Sequence, residues 1–145
     1  MKNNREFGYF GESVACDFLV RNGYKIVERN YYAVGGELDI VAENEKTLAI
    51  CEVKTRYNGA SLRYGRPSAS VDTRKQTAVA EAAKQYLFDH PTTLAPRIDV
   101  IEVIVSTHTD INGGVWYFVD MINHIENAIL SSGRVRFGSR DRRYL

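Results

Sequence analysis

Gly36-Glu37-Leu38-Asp39-Ile40-Val41, followed across a short polar turn by Ile50-Cys51-Glu52-Val53-Lys54-Thr55-Arg56, decides how this chain reads. Glu37 to Ala42 and Thr47 to Thr55 are rich in apolar and β-branched residues, and Asn44, Glu45 and Lys46 lie between them, so two strands joined as a hairpin are expected. Pairing Glu43 with Leu48 across that turn sets Asp39 opposite Glu52. Glu52 and Lys54 are two residues apart and share a strand face. That face carries two carboxylates and an ammonium, while Ile40, Ala49, Cys51 and Val53 turn to the other side, into the core.

Charges so close to core strands are costly unless paired or metal-bound. Two adjacent carboxylates repel each other, and a divalent cation relieves the repulsion. Mg²⁺, or Mn²⁺ in its place, suits one or two carboxylates completed by water and phosphate oxygens. Such an ion acidifies a bound water and offsets phosphate charge. Lys54 is then placed to orient the water or to stabilise developing negative charge. A plain same-face ion pair between Glu52 and Lys54 is the duller alternative. A glycosidase-type acid pair is another, but a lysine beside the acids suits phosphate better.

Outward from the hairpin, Phe7, Phe10, Val14, Phe18 and Leu19 recur at spacings of three and four, which predicts a helix over Gly8 to Asn22, stopped by Gly23. Tyr24 to Tyr32 reads as a strand, and Tyr57 to Pro67 as a loop. A second helix is expected from near Asp72 to about Asp89, with Val79, Ala82, Ala83 and Tyr86 on its buried side. Arg97 to Ser106 reads as a central strand. Asn112-Gly113-Gly114 turns the chain into Val115 to Val119, and a short helix near Ile122 to Leu130 is expected to close the domain. The predicted order is α-β-β-β-α-β-β-α, an α/β fold with a mixed central sheet flanked by helices.

The 145 residues suffice for one domain with its own core, and 44% hydrophobic with 26% charged residues places the chain among globular proteins. Cys16 and Cys51 lie in apolar patterns without metal-ligand spacing and read as buried thiols of a cytoplasmic protein. No apolar run is long enough to span a membrane, and Met1 to Glu12 has no apolar stretch of a signal peptide. Residues 1–131 are read as the domain and 132–145 as a basic tail. From Arg134 onward five arginines face one acid, a net +4, which leaves −3 for the rest of a chain whose total is +1. A second basic group comprises Arg56, Arg63, Arg66, Arg74 and Lys75. Basic segments on either side of an acidic centre suit a polyanion. Arg56, Arg66, Arg74, Lys75, Arg140, Arg142 and Arg143 are the candidate nucleic-acid contacts.

The wider pattern resembles a known family. Asp39 with Glu52-Val53-Lys54 looks like the PD-(D/E)xK nuclease motif, with Leu38 where the motif has proline. Gly11-Glu12 with Ala15, Gly36-Glu37-Leu38-Asp39, Glu52-Val53-Lys54-Thr55-Arg56, Lys75 before Ala82-Ala83 and Tyr86-Leu87, and Arg97-Ile98-Asp99-Val100 together resemble the bacterial YraN-like family, which is similar to archaeal Holliday junction resolvases. The resemblance covers roughly residues 8 to 130 and implies a restriction-endonuclease-like fold. It implies that Asp39 and Glu52 are metal ligands, Lys54 the catalytic lysine and Glu12 a supporting acid. It implies further a Mg²⁺- or Mn²⁺-dependent endonuclease on DNA, branched DNA included, with a homodimer by analogy and no small-molecule cofactor. A nucleic-acid-binding or protein-interaction module that keeps the fold without turnover is the alternative from another class.

Overall fold

The computed structural model describes residues 4–58, 73–129 and 141–144. The first helix, α1 (Asn4–Arg21), leads into three consecutive strands: β1 (Lys25–Ala33), β2 (Gly36–Glu43) and β3 (Thr47–Tyr57). Helix α2 (Thr73–Asp89) follows, then β4 (Ala95–Thr109), β5 (Val115–Ile125) and β6 (Asp141–Tyr144). The six strands form one sheet in the order β1-β2-β3-β4-β5-β6. Among the described strands only the central pair, β3 with β4, runs parallel, and α2 lies in the connection between them. This is the restriction-endonuclease-like arrangement of a mixed sheet with helices packed on it.

The two faces of the sheet are covered by different helices. Phe7, Ala15, Phe18 and Leu19 of α1 pack on Ile40, Ala49, Cys51, Ile101, Val103 and Val105. Val79, Ala82, Ala83 and Tyr86 of α2 pack on Leu38, Leu48, Ile50, Ile98 and Val100. Fully burying one leucine or isoleucine side chain stabilises by roughly 1.5–3 kcal/mol, so these two layers carry the fold. The helices lie close because small residues line their contacts. A Cβ on Gly11 would stand 1.7 Å from Thr55 Oγ1, so only glycine lets α1 approach β3 this closely.

The hairpin register is the expected one: Glu43 pairs with Leu48, Ala42 with Ala49, Val41 with Ile50 and Ile40 with Cys51. Beyond that rung β2 continues alongside β1 and β3 alongside β4. The hairpin therefore opens at Asp39 and Glu52. A second irregularity lies on the same level. Residues two apart on a strand normally share a face, yet Leu38 packs under α2 and Ile40 under α1. Asn30, between the rungs Arg29–Ile40 and Tyr31–Leu38, has φ of +52°, a left-handed conformation that asparagine tolerates better than most residues.

The helix expected near Ile122 to Leu130 is not there. β5 runs straight through to Ile125, a turn follows, and Ile129 donates its backbone N–H to Ile98 O at 3.3 Å. Ile122 packs in the α1 layer and Ile125, Ala128 and Ile129 in the α2 layer, so apolar residues recur at helix-like intervals although the first two belong to a strand covered on both sides. The boundary expected at residues 131–132 and most of the Tyr57 to Pro67 loop lie outside the described residues. Within the basic tail, residues 141–144 form β6, which extends the sheet against Ile122–Ile125.

Two buried polar networks tie the central strands together. Arg97 holds Asp99 through its Nε and Nη2, each at 2.8 Å, and donates to Tyr24 Oη at 2.7 Å. Asp99, fully buried, also contacts His124 Nε2 at 2.8 Å and accepts from the Asn127 N–H at 2.8 Å. Hydrogen bonds from His124 and Arg97, together with their charges, keep its carboxyl below the usual carboxylate range despite burial. Arg56 and Glu102 form the second, with Asn123 donating to Glu102 at 3.2 Å. Cys16 and Cys51 are both buried and free.

Candidate active site

The site forms where the β2–β3 ladder ends. Asp39 has no cross-strand backbone partner on β3; instead its Oδ2 accepts the Val53 N–H at 2.8 Å. The carboxylate is thus fixed at the level of Glu52. Glu52 follows Leu48 and Ile50 on the face of β3 turned to α2, and it is almost wholly buried. From α2, Lys75 reaches it, Nζ to Oε1 at 3.4 Å. From α1, Glu12 approaches Asp39, held by the close helix–strand contact at Gly11. The Asn30 amide nitrogen, in the orientation that its neighbours select, donates to Glu12 Oε1 at 3.1 Å and Glu37 Oε1 at 3.0 Å.

These acids share an open cavity of about 960 Å³ that is also lined by Lys54, Thr55, Tyr57 and residues of the first turns of α1. Its electrostatics follow from crowding. Burial first, and then the neighbouring Asp39 carboxylate, push Glu52 from 4.5 up to about 8, against the pull of Lys75. Burial and Asp39 likewise raise Glu12 from 4.5 to about 7, with Glu37 adding to the rise and Arg29 opposing it. Burial alone lowers the Lys75 ammonium, but Glu52 and Asp39 outweigh it and the net shift is upward. Glu52 Oε2 is buried and has no hydrogen-bond donor against it among the described residues. That oxygen is left to a proton shared between acids, to water or to a cation.

A hard divalent cation fits these residues. Among the described residues no three His, Cys, Asp or Glu side chains are gathered as a complete ligand cage. Mg²⁺ does not need one, because one or two carboxylates suffice when water and substrate phosphate supply the rest. Asp39 and Glu52 are the pair that would hold it.

The structure brings together Glu12, Asp39, Glu52 and Lys54 at one cavity, and adds Lys75 from α2. Glu37 and Asn30 belong to the same cavity; Glu37 reads from the sequence as a strand-end surface acid or a member of the site, and Asn30 is not singled out there. The only signal for Asn30 is its residue type, since a left-handed residue inside a strand leaves no periodic trace. Arg56, expected to face nucleic acid, is instead buried, with its Nε 3.1 Å from Glu102 Oε2. It lies on β3 four residues beyond Glu52 but turns to Glu102 of the neighbouring β4. Arg74 is exposed at the start of α2. Arg66 and Arg140 lie outside the described residues, and Arg142 and Arg143 are placed on β6 by their backbone alone. No helix among the described residues is long and apolar enough to cross a membrane.

Sequence comparison agrees with the arrangement of motifs. The family described as "Uncharacterised protein family UPF0102" matches residues 11–103. A UPF0102 protein of Caldicellulosiruptor bescii is 38% identical over 105 residues, which cover 71% of this chain and 86% of that one. One of Clostridium botulinum strain 657 is 39% identical over 106 residues, 72% of this chain and 84% of its own. One of Chlorobium phaeobacteroides is 43% identical over 99 residues, 68% of this chain and 76% of its own. Glu12, Asp39, Glu52, Lys54 and Lys75 all fall inside the matched segment, and the chain belongs to the UPF0102, or YraN-like, family.

Proposed function

We propose that this cavity is the active site of a divalent-metal-dependent endonuclease that hydrolyses phosphodiester bonds in DNA. One observation carries the reading: Asp39, Glu52 and Lys54 line one open cavity at the rung where β2 and β3 part. Asp39 and Glu52 would hold Mg²⁺ or Mn²⁺, which when bound supplies an acidified water and offsets the phosphate charge. Lys54, exposed at the cavity wall, is placed to orient the water or to stabilise charge on the phosphate. Glu12, raised to about 7, can take up or release a proton near neutral pH. Asn30 keeps the Glu12 and Glu37 carboxylates turned toward a common donor.

The second reading is a nucleic-acid-binding or protein-interaction module without turnover. The Lys75–Glu52 ion pair favours it, because the ammonium already offsets one of the two carboxylates. The inward turn of Arg56 also removes one expected phosphate contact. Cleavage assays on linear duplex, single-stranded and four-way DNA with Mg²⁺ or Mn²⁺ decide between them. Metal-dependent cutting that Asp39→Ala abolishes supports the enzyme; binding without cutting of any of these substrates supports the module.

A further inference from the structure

Of the seven tyrosines whose side chains are described, five pack into the two apolar layers: Tyr24, Tyr31, Tyr57, Tyr86 and Tyr117. The other two, Tyr9 and Tyr32, belong to neither layer and are 58% and 76% exposed. Both line the same cavity as Asp39, Glu52 and Lys54, although they come from different elements. Tyr9 lies on α1 one turn before Glu12, and Tyr32 lies on β1 opposite Glu37. The fold does not need these rings for its core, and it places both beside the acids.

We propose that Tyr9 and Tyr32 form a stacking platform for unpaired bases, so that the site takes single-stranded or locally unpaired nucleic acid rather than uninterrupted duplex. The inference rests on the phosphodiester reading of the cavity and names its substrate class. Bases inside a duplex are stacked on one another and offer no face to a protein ring, whereas unpaired bases stack readily on aromatic side chains. The Arg29 guanidinium stands 5.2 Å from the centre of the Tyr9 ring. This contact holds the ring in place and leaves positive charge beside it, which suits a base with its attached phosphate. Stacking of this kind depends little on base identity, because every base has a π face.

The test measures equilibrium binding of the full chain, without divalent metal, to three probes: a short oligodeoxythymidylate, an abasic strand of equal length, and a duplex. The wild type is expected to prefer the oligodeoxythymidylate over the abasic strand by about five- to a hundred-fold per stacked base. Tyr9→Ala and Tyr32→Ala should remove that preference while leaving abasic binding and the thermal melt unchanged. Tyr9→Phe and Tyr32→Phe keep a ring and should keep the preference. Equal binding of the base-bearing and abasic strands, no binding of either, or an undiminished preference in both alanine variants overturns the platform. A duplex bound as tightly as the single strand overturns it too. None of these readings requires cleavage, so an inactive protein with an intact base preference would reject the nuclease and retain the platform.

Discussion

Asp39 Oδ2 accepts the backbone N–H of Val53 at 2.8 Å, in place of the carbonyl that a continued β2–β3 ladder would supply. One carboxylate thus both ends the hairpin and anchors the cavity. Its second oxygen is the part left for chemistry, and its orientation is set by the backbone next to Glu52. Replacement of Asp39 therefore alters strand pairing as well as charge, which makes Lys54 the cleaner probe of catalysis.

Lys54→Ala should leave DNA binding nearly intact and slow cleavage by about 10²–10⁴-fold, the usual worth of a positioned acid–base group. Lys54 is exposed and belongs to neither apolar layer, so the fold is expected to survive. Lys54→Arg should not restore the rate fully, because a guanidinium cannot act as a base at neutral pH. Single-turnover cleavage beside a binding titration checks both statements. Equal rates for wild type and Lys54→Ala would remove the lysine from the mechanism.

The raised acids predict a pH-dependent stability. Glu52 moves from 4.5 to about 8 and Glu12 from 4.5 to about 7, so the folded state binds more protons than the unfolded chain across that window. Stability must then fall as pH rises from about 4.5 toward 8, and below 4.5 the effect vanishes because both states are protonated. Divalent metal should oppose the loss, since it binds the ionised form. Thermal melts of the metal-free protein should show a Tm declining over this range, less steeply in Glu52→Gln and with recovery in Mg²⁺ or Mn²⁺. A pH-independent Tm in both proteins would contradict the crowding of these acids.

Gly11→Ala should destabilise by about 1–3 kcal/mol, the cost of overpacking a filled contact. The added Cβ would meet the Thr55 side chain at 1.7 Å from Oγ1 and 2.8 Å from Cβ. Thr55→Gly removes both atoms, so the double variant should recover much of the loss. A denaturant-unfolding cycle over the two positions measures the coupling. Cleavage should fall in Gly11→Ala beyond what stability explains, because the same helix carries Glu12.

Asp99→Ala should cost about 3–5 kcal/mol by taking the buried acceptor from Arg97, His124 and the Asn127 N–H at once. The network holds β4 to β5 and to Tyr24 before β1, and it touches no residue of the cavity. Its loss should therefore lower Tm without changing the metal affinity of the protein that remains folded. Calorimetric titration with Mn²⁺ on Asp99→Asn, the milder variant, checks the separation.

What was legible in the sequence and what was not divides along physical lines. The register of β2 with β3 could be read from the short polar turn, one of several turn lengths the sequence left open, and it brings Asp39 to the level of Glu52 although both strands are buried on both faces. The end of α1 and both bounds of α2 could be read from a one-sided apolar pattern with Gly23 and Asp72 as markers, whereas α1 begins at Asn4, a turn before the expected Gly8. The end of β5 could not be read, because a strand buried on both faces has no alternation to show, and Ile122, Ile125 and Ile129 imitate a helix. Arg56 misled for a related reason: a charge pattern does not reveal that Glu102, distant in sequence, is buried opposite it. Asn30 stayed hidden because its role depends on a backbone angle.

The parallel pairing of β3 with β4 has a consequence for the order in which the protein becomes competent. Thr47 pairs with Ala95 and Tyr57 with Val105, a separation of 48 residues held along the whole ladder. Contacts this distant in sequence form late, since the intervening chain must close its loop first. During synthesis β3 lacks its central neighbour until β4 has emerged, and Lys75 on the crossover helix docks beside Glu52 only with that closure. Asp39 and Glu52 meet within the local β2–β3 hairpin, but in an unfinished chain β3 lacks the parallel neighbour that holds it, so a nascent polypeptide has no settled cavity before its last central strand is in place.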